Sequence, residues 1–354
     1  MREPTPTIRT VWPAVVLALA LSGAPAGGVG NPGAPFRWFE PDAIISSDDH
    51  KRLARGEVVV KPLSSTSGQL GVFAITAMNA QPEVFVEWIR QISQLQRSKA
   101  VAASGRFSEP PSLRDLDGLH LDPRDLEAIR RCRSGQCALK LSATEIDALR
   151  RVADGGRDEA IQDAFRRLLL VRLMAYRSGG FAALPVAPGH AGVGAPADVL
   201  AALQASAPYI RRSDERLALW LNDTERTTSP DVESFFYWSK EYYASGKAMV
   251  ALTQVGVTRT LGGGMAPEVA VAGKQLFATR YMNGMLSHIT LSRDAASGRR
   301  YMTYTNRAQL DVLKGFWGGV ARTVINGRLK DDAATVLGTL RSRIESGPPK
   351  AISE

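Results

Sequence analysis

The chain has 354 residues, 44% of them hydrophobic, which is enough for a sizeable core in one large domain or two ordinary ones. Its two cysteines exclude a small disulfide-stapled scaffold. The formal net charge of +9 is spread along the chain, which favours a solvated basic surface; peripheral contact with an anionic membrane surface is the alternative. No nucleic acid partner is expected, because the sequence contains no recognisable nucleic-acid-binding module.

The first residues have the pattern of a cleaved signal peptide. Arg2 and Arg9 precede an apolar run from Val11 to Leu21, and small residues lie around Ala26, where a signal peptidase would cut. The run is too short for an ordinary transmembrane helix. We therefore predict a signal peptide over residues 1–26 and a periplasmic or secreted location; an uncleaved N-terminal anchor is the alternative.

The next segments predict two strands and a helix. A leader over residues 27–55 precedes strands from Gly56 to Leu63 and from Leu70 to Asn79. Pro82 then suits the first position of an amphipathic helix that extends to about Arg97.

Residues 106–230 have a different character, because strand patterns give way to short helices with clear caps. Ser142 and Glu145 have the spacing of a capping box. A long helix from Asp158 to Tyr176 carries apolar residues on more than one face, which is typical of a buried helix. We predict an all-helical insertion over residues 106–230.

The remaining sequence predicts strands joined by tight turns. Ser234 to Tyr243 is strand-like and aromatic. Four more strands follow at about Lys247 to Arg259, Glu268 to Met282, Met285 to Ser292 and Arg300 to Asn306. Asn283-Gly284 predicts a type I′ hairpin turn, since both central residues of that turn need φ > 0.

An amphipathic segment from Leu313 to Ile344 closes the chain with apolar residues at helical spacing. A disordered tail is predicted for residues 347–354.

The segments from Gly56 to Gln96 and from Arg300 to Ile344 resemble the helix-grip fold of START-type lipid-transfer domains and their polyketide-cyclase-like relatives. The former is strand, strand and Pro-initiated helix, and the latter is a strand followed by a basic amphipathic helix. The resemblance covers less than half of the mature chain, and the helical block departs from it.

The strand pattern and the resemblance together predict an α+β fold: a curved antiparallel sheet of about seven strands gripping a long C-terminal helix. The strand-poor region adds an inserted all-helical block, which the resemblance does not cover. The helix-grip-like domain would span residues 56–105 and 231–346. A cavity between sheet and terminal helix would hold an apolar or amphipathic small molecule. No fixed catalytic residues are implied.

No motif for catalysis, a metal or another cofactor is evident. The four histidines lie far apart in sequence, and neither cysteine has a nearby histidine at zinc spacing. The nucleophile-elbow and phosphate-loop patterns are absent.

Cys132 and Cys137 flank a Ser134-Gly135 turn, and export favours their oxidation. We predict a disulfide between them; two reduced thiols and a redox motif are the alternatives.

Six residues are candidate ligand contacts in the predicted cavity. In the aromatic cluster, core packing is the main expectation, with ligand contact as the alternative. The charged side of the strand that ends at Met282 either faces solvent or lets Arg280 bind the polar head of a ligand. The six candidates are Phe236, Trp238, Arg280, Tyr301, Tyr304 and Trp317.

Three functions remain open. The first is an exported protein that binds or transfers a lipid-like molecule. The second is a cyclase- or hydrolase-type enzyme on the same scaffold, which requires polar groups with shifted pKa values in the cavity. The third is a protein-interaction module that uses an exposed apolar patch on the helical block; no protein partner is indicated.

Overall fold

A computed structural model describes residues 37–66, 68–187, 194–222, 231–242, 246–260, 266–313 and 333–350. These residues form one curved, unclosed antiparallel sheet with helices on both faces. The strands are β1 Val59–Pro62, β2 Gln69–Met78, β3 Val101–Arg106, β4 Glu233–Tyr242, β5 Ala248–Arg259, β6 Val269–Ala278, β7 Met282–Arg293 and β8 Arg300–Leu310. The helices are α1 Ser47–Ala54, α2 Pro82–Arg90, α3 Ile92–Leu95, α4 Pro123–Arg131, α5 Ala143–Ala153, α6 Asp158–Gly179, α7 Pro196–Ala205, α8 Tyr209–Ser213 and α9 Glu215–Asn222, followed by the C-terminal helix over residues 333–345.

The strand order is β1-β2-β8-β7-β6-β5-β4-β3, so the first long strand pairs with the last one. This confirms the predicted α+β class and the antiparallel sheet. The sheet has eight strands rather than about seven because β3 was not predicted. Its sequence, VAASGR, has little strand character. Gly105 instead allows β3 to lie close to Trp238, since a Cβ there would be 2.6 Å from the indole nitrogen.

One face of the sheet, the block face, is covered by the helical block α4–α9 together with α1. Phe236 and Trp238 of β4 pack on this face among α4–α6. Phe73 of β2 and Leu286 of β7 pack nearby against α7–α9. The helical block therefore provides one complete layer of the fold.

Side-chain hydrogen bonds order the helices inside the block. The predicted capping box forms: Ser142 Oγ accepts from the Glu145 backbone N–H at 3.3 Å, and Glu145 Oε2 accepts from the Ser142 N–H at 2.7 Å. The same carboxylate accepts two bonds of 2.6 Å from Arg172 of α6. Glu145 thus starts α5 and also fixes it to α6.

The opposite face, the C-terminal face, carries α2, α3 and the C-terminal helix. Phe85 of α2 packs there with Leu337 and Ile344 of the C-terminal helix. Arg341 donates to the Gly56 carbonyl at 2.6 Å and to the Thr76 hydroxyl at 2.9 Å. The C-terminal helix is therefore held on the sheet in contact with the α2–α3 pair.

The first part of the predicted terminal segment, residues 314–332, lies outside the described residues. The predicted tail begins with ordered contacts: Trp88 Nε1 donates to the Gly347 carbonyl at 2.8 Å. Gln94 Nε2 donates to the Lys350 carbonyl at 3.2 Å. Among the described residues, no helix is both long and apolar enough to cross a bilayer.

The predicted turn at Asn283-Gly284 is wrong. The chain reverses between Ala278 and Met282, where Tyr281 has φ 66°, and both predicted turn residues belong to β7. Gly284 instead allows β7 to approach α7, because a Cβ there would lie 2.6 Å from Val199 Cγ1. Asn283 accepts a hydrogen bond from Lys140 Nζ at 2.8 Å. Both residues are therefore explained by packing rather than by turn conformation.

Cys132 and Cys137 form a disulfide immediately after α4, as predicted. The segment that follows it is fixed to the sheet by Lys140. The Lys140 backbone N–H donates to the Thr279 carbonyl at 2.8 Å, and its Nζ lies 2.8 Å from Asp311 Oδ2. The disulfide thus lies shortly before Lys140, which links this segment to the β6–β7 connection and to the end of β8.

The two edges of the sheet are β1 and β3. β1 has only four residues and ends at Pro62. The pairing of β3 with β4 has a register shift between Val101 and Ala103.

Candidate functional site

Part of the C-terminal face is only partly buried along β7 and β8, among the described residues. On β7, block-face residues such as His288 are buried, whereas Met285 and Ser287 are only partly buried. Tyr304 and Asn306 of β8 are partly buried on the same face. These side chains therefore keep some exposure to solvent.

Several residues of this partly buried region are polar. Cross-strand pairing places Gly273 beside Ser287 and Ser287 beside Asn306. Gly273 has no side chain on this face, and a Cβ there would lie only 2.6 Å from Ser287 Oγ. Alternation along the strands adds neighbouring side chains of the same face. The resulting β6–β8 site consists of Gly273, Gln275, Met285, Ser287, Tyr304 and Asn306.

Two amide groups of the site keep an unused hydrogen-bond acceptor. Asn306 Nδ2 donates to the Tyr304 hydroxyl at 3.0 Å, while Asn306 Oδ1 is buried with no hydrogen-bond partner among the described residues. Gln275 Oε1 is likewise buried without a partner. An unsatisfied buried polar atom costs about 1–3 kcal/mol, so such atoms are expected where a ligand or an ordered water supplies the missing donor.

Tyr237 of β4 is buried on the same face of the sheet as the site. Burial raises the pKa of Tyr237 to about 12, and the Glu241 charge and the Tyr304 hydroxyl shift it in the same direction. β5, β6 and β7 separate the two tyrosines in the strand order of the sheet. Gln96 Nε2 donates to the Tyr237 hydroxyl at 3.3 Å, and Gln96 Oε1 has no hydrogen-bond partner in the described part of the chain.

Tyr304 has similar electrostatics. Burial raises the pKa of its phenol, and the Glu241 charge adds to this effect. Glu241 itself accepts a hydrogen bond from Ser239 Oγ at 2.6 Å. Both phenols therefore remain neutral at physiological pH and can act as hydrogen-bonding groups.

The site adjoins an apolar part of the same face. Val255, Val271, Leu291 and Met302 are buried there, together with side chains of α2 and the C-terminal helix. Small-molecule sites typically combine such apolar surface with a few placed polar groups. The C-terminal face has both properties.

The structure does not bring the predicted ligand residues together. Tyr304 lies in the β6–β8 site, but Tyr301 belongs to the opposite face. Phe236 and Trp238 pack beneath α4–α6 rather than beneath the C-terminal helix. Trp317 lies outside the described residues. The cavity predicted beneath the terminal segment also involves that part of the chain and stays a prediction.

Arg280 lies beyond the end of β6, outside the β6–β8 site. Its Nη1 donates to Asp125 Oδ1 at 2.7 Å and to the Ala248 carbonyl at 2.6 Å. Lys274 is buried on the block face, with Nζ 3.3 Å from the Trp220 carbonyl. The expectation that the charged side of β6 faces solvent is therefore wrong, and Arg280 joins α4 to the sheet.

Sequence reasoning missed Gln275, Asn306 and Tyr237. The available signal was polar residues on strands of otherwise buried character, with Tyr304 and Asn306 two positions apart. Their convergence depends on strand order and curvature, which composition does not reveal.

A buried Ser–His contact on the block face does not have the geometry of a hydrolase. Ser213 Oγ lies 3.1 Å from His288 Nε2 and donates its proton to the Ile210 carbonyl at 2.7 Å. Both residues are buried in the core, with exposed fractions of 5% for Ser213 and 0% for His288, so the pair does not face solvent or the β6–β8 site. Burial lowers the pKa of His288 to about 3, against the opposing charge of Asp214.

Two further features lie apart from the site. A surface depression of about 310 Å³ is lined by α7, α8 and α9, on the block side of the sheet. In the described parts of the chain, no group of three or more His, Cys, Asp or Glu side chains is arranged to hold a metal ion.

No protein-family model and no curated protein sequence matches this chain. A search of solved structures matches the crystal structure of the di-domain ARO/CYC BexL from the BE-7585A biosynthetic pathway. The match has 12% sequence identity and a TM-score of 0.23, and covers 89% of this chain and 95% of that one. At these values it establishes neither a shared fold nor a shared activity.

Proposed function

We propose that the protein binds an apolar or amphipathic small molecule at the β6–β8 site, on the C-terminal face of the sheet. The observation that carries the proposal is a pair of buried amide oxygens, Asn306 Oδ1 and Gln275 Oε1, that have no hydrogen-bond partner among the described residues and lie beside partly buried side chains of β7 and β8. The adjoining apolar surface would hold the rest of the ligand. Binding or transfer of such a molecule is favoured over hydrolysis, because the Ser213–His288 pair is buried in the core on the opposite face of the sheet.

We further propose that the chain is a helix-grip protein of the START-like type. Near the N-terminal end of the described chain, strands β1 and β2 are followed by helix α2. The C-terminal helix packs on the same face of the curved sheet as α2. Export through the predicted signal peptide completes the proposal, and the Cys132–Cys137 disulfide is compatible with it.

A matched pair of glycine variants tests the site. The mature chain, residues 27–354, is titrated with the neutral fluorescent probe N-phenylnaphthylamine. Gly273→Ala places a methyl group on the C-terminal face, beside Ser287 Oγ. We expect probe affinity to fall about tenfold, because overpacking by one methyl costs about 1–3 kcal/mol.

The control is Gly71→Ala, which crowds the other face: its Cβ would lie 2.9 Å from Leu63 Cβ and 3.2 Å from Arg307 Nη1. This variant should bind the probe as the wild type does. Absence of probe binding to the wild type, or equal weakening in both variants, would contradict the proposed site.

A further inference from the structure

Two amide side chains in the β6–β8 site have their NH₂ groups next to methionine sulfur atoms. Asn306 Nδ2 lies 3.3 Å from Met285 Sδ, and Gln275 Nε2 lies 4.0 Å from Met282 Sδ. A thioether sulfur can only accept a hydrogen bond, so in each case the NH₂ group faces the sulfur. The carbonyl oxygens therefore face away from it, and these are the atoms that lack partners.

Other polar groups near the site have the same character. Gln96 Oε1, beside Tyr237, is a further buried acceptor without a donor. The charge of Glu241 acts on both Tyr237 and Tyr304. The polar end of the site is therefore rich in acceptors and close to a negative charge, an environment that favours hydrogen-bond donors and disfavours anions.

Three cations of β6, β8 and the β6–β7 connection are engaged elsewhere. Arg280 is paired with Asp125. Arg307 donates to the Tyr209 hydroxyl at 3.3 Å and to the Ser64 carbonyl at 2.8 Å, on the block face. Lys274 also lies on the block face. These side chains point away from the acceptors of the C-terminal face.

We infer that the site selects an amphiphile whose polar end donates hydrogen bonds, such as a long-chain alcohol or amine, over one that ends in a carboxylate or phosphate. This inference rests on the proposed function and adds the chemical class of the ligand. Hydrogen-bond donors of the ligand would satisfy Asn306 Oδ1 and Gln275 Oε1. A carboxylate only accepts hydrogen bonds, so it would leave both oxygens unsatisfied.

Three probes of equal chain length test the inference: dodecanol, dodecylamine and dodecanoate, each displacing N-phenylnaphthylamine at neutral pH. We expect dodecanol and dodecylamine to bind at least about tenfold more tightly than dodecanoate, as one or two buried hydrogen bonds would give. Equal affinities, or a preference for dodecanoate, would overturn the inference and leave the proposed function standing. If none of the three displaces the probe, the proposed function fails as well.

Variants assign the preference to the named oxygens. Asn306→Leu and Gln275→Met are close in size and remove the acceptor; each should reduce the preference for dodecanol over dodecanoate about three- to tenfold. The matched control is Gln309→Met: Gln309 Oε1 also lacks a partner, but the residue points to the block face of the same strand as Asn306. An unchanged preference in both site variants, or an equal loss in the control, would overturn the assignment.

Discussion

Both side chains of the Arg280–Asp125 ion pair are buried, with exposed side-chain fractions of 9% and 5%. Arg280→Met leaves the Asp125 carboxylate buried without its cation. We expect the free energy of unfolding, measured with urea, to fall by about 3–5 kcal/mol. Probe binding to the folded protein should be unchanged, because Arg280 lies outside the β6–β8 site.

Two further variants show whether a loss of stability in Arg280→Met comes from the unpaired buried charge. Lys51→Met removes an exposed pair with Asp48 and should have no resolvable effect on stability. The double variant Arg280→Met with Asp125→Leu removes both charges and should be more stable than Arg280→Met alone. A double variant as unstable as the single one would show that lost packing, rather than an unpaired charge, causes the effect.

His288 makes the stability depend on pH. Burial lowers its pKa from 6.5 to about 3, so the folded protein holds it neutral. Between these two values the unfolded chain binds more protons at this residue, and stability therefore falls as the pH falls. Its full contribution is present above about pH 6.5 and is lost progressively down to about pH 3.

His288→Gln removes this titration while retaining an amide that can donate to Ser213. Between about pH 6 and pH 4, the unfolding free energy of the wild type should fall more steeply than that of the variant, by up to about 1.4 kcal/mol per pH unit. Urea unfolding at several pH values measures both slopes. Equal slopes would mean that His288 is protonated in the folded protein.

At the β6–β7 connection, packing against α7 determines the sequence. Gly284→Ala would place a methyl group 2.6 Å from Val199 Cγ1. We expect the variant to lose about 1–3 kcal/mol of unfolding free energy, because the backbone or the valine must move. Thermal and urea unfolding measure the loss.

Val199→Ala supplies the matched rescue. In the Val199→Ala background, Gly284→Ala should cost much less, because the clashing methyl groups have been removed. An undiminished cost would indicate that Gly284 is required for its backbone conformation, as a hairpin turn would demand.

The strands of the C-terminal half could be located from sequence because they are long and rich in β-branched and aromatic residues. β3 could not, since it depends on its partner β4 and on the close approach at Gly105. The sequence also did not reveal which side chains of a strand point to which face of the sheet. Phe235, Phe236, Tyr237 and Trp238 are all buried, two on each face, so alternation gave no direction. The candidate site inherits this ambiguity: only Tyr304 of the predicted residues belongs to it.

In the intact molecule, the disulfide and the proposed export are tested together. The exported protein should begin at Gly27 in N-terminal sequencing and contain no free thiol by mass spectrometry without reductant. Reduction should lower the unfolding free energy by ~2 kcal/mol, since the loop between Cys132 and Cys137 is short.

The double variant Cys132→Ser with Cys137→Ser is the control, and it should not respond to reductant. An intact Met1 in the exported protein would contradict signal cleavage. Two free thiols in the exported protein would show that the disulfide does not form there.

Both margins of the sheet offer little backbone to another molecule. An open sheet can recruit a strand from a neighbouring chain through its unpaired N–H and C=O groups, which leads to aggregation. Here one margin is four residues long and ends at Pro62, and the other is irregular between Val101 and Ala103. Growth of the sheet from chain to chain is therefore disfavoured, and any self-association would have to proceed through side-chain surfaces.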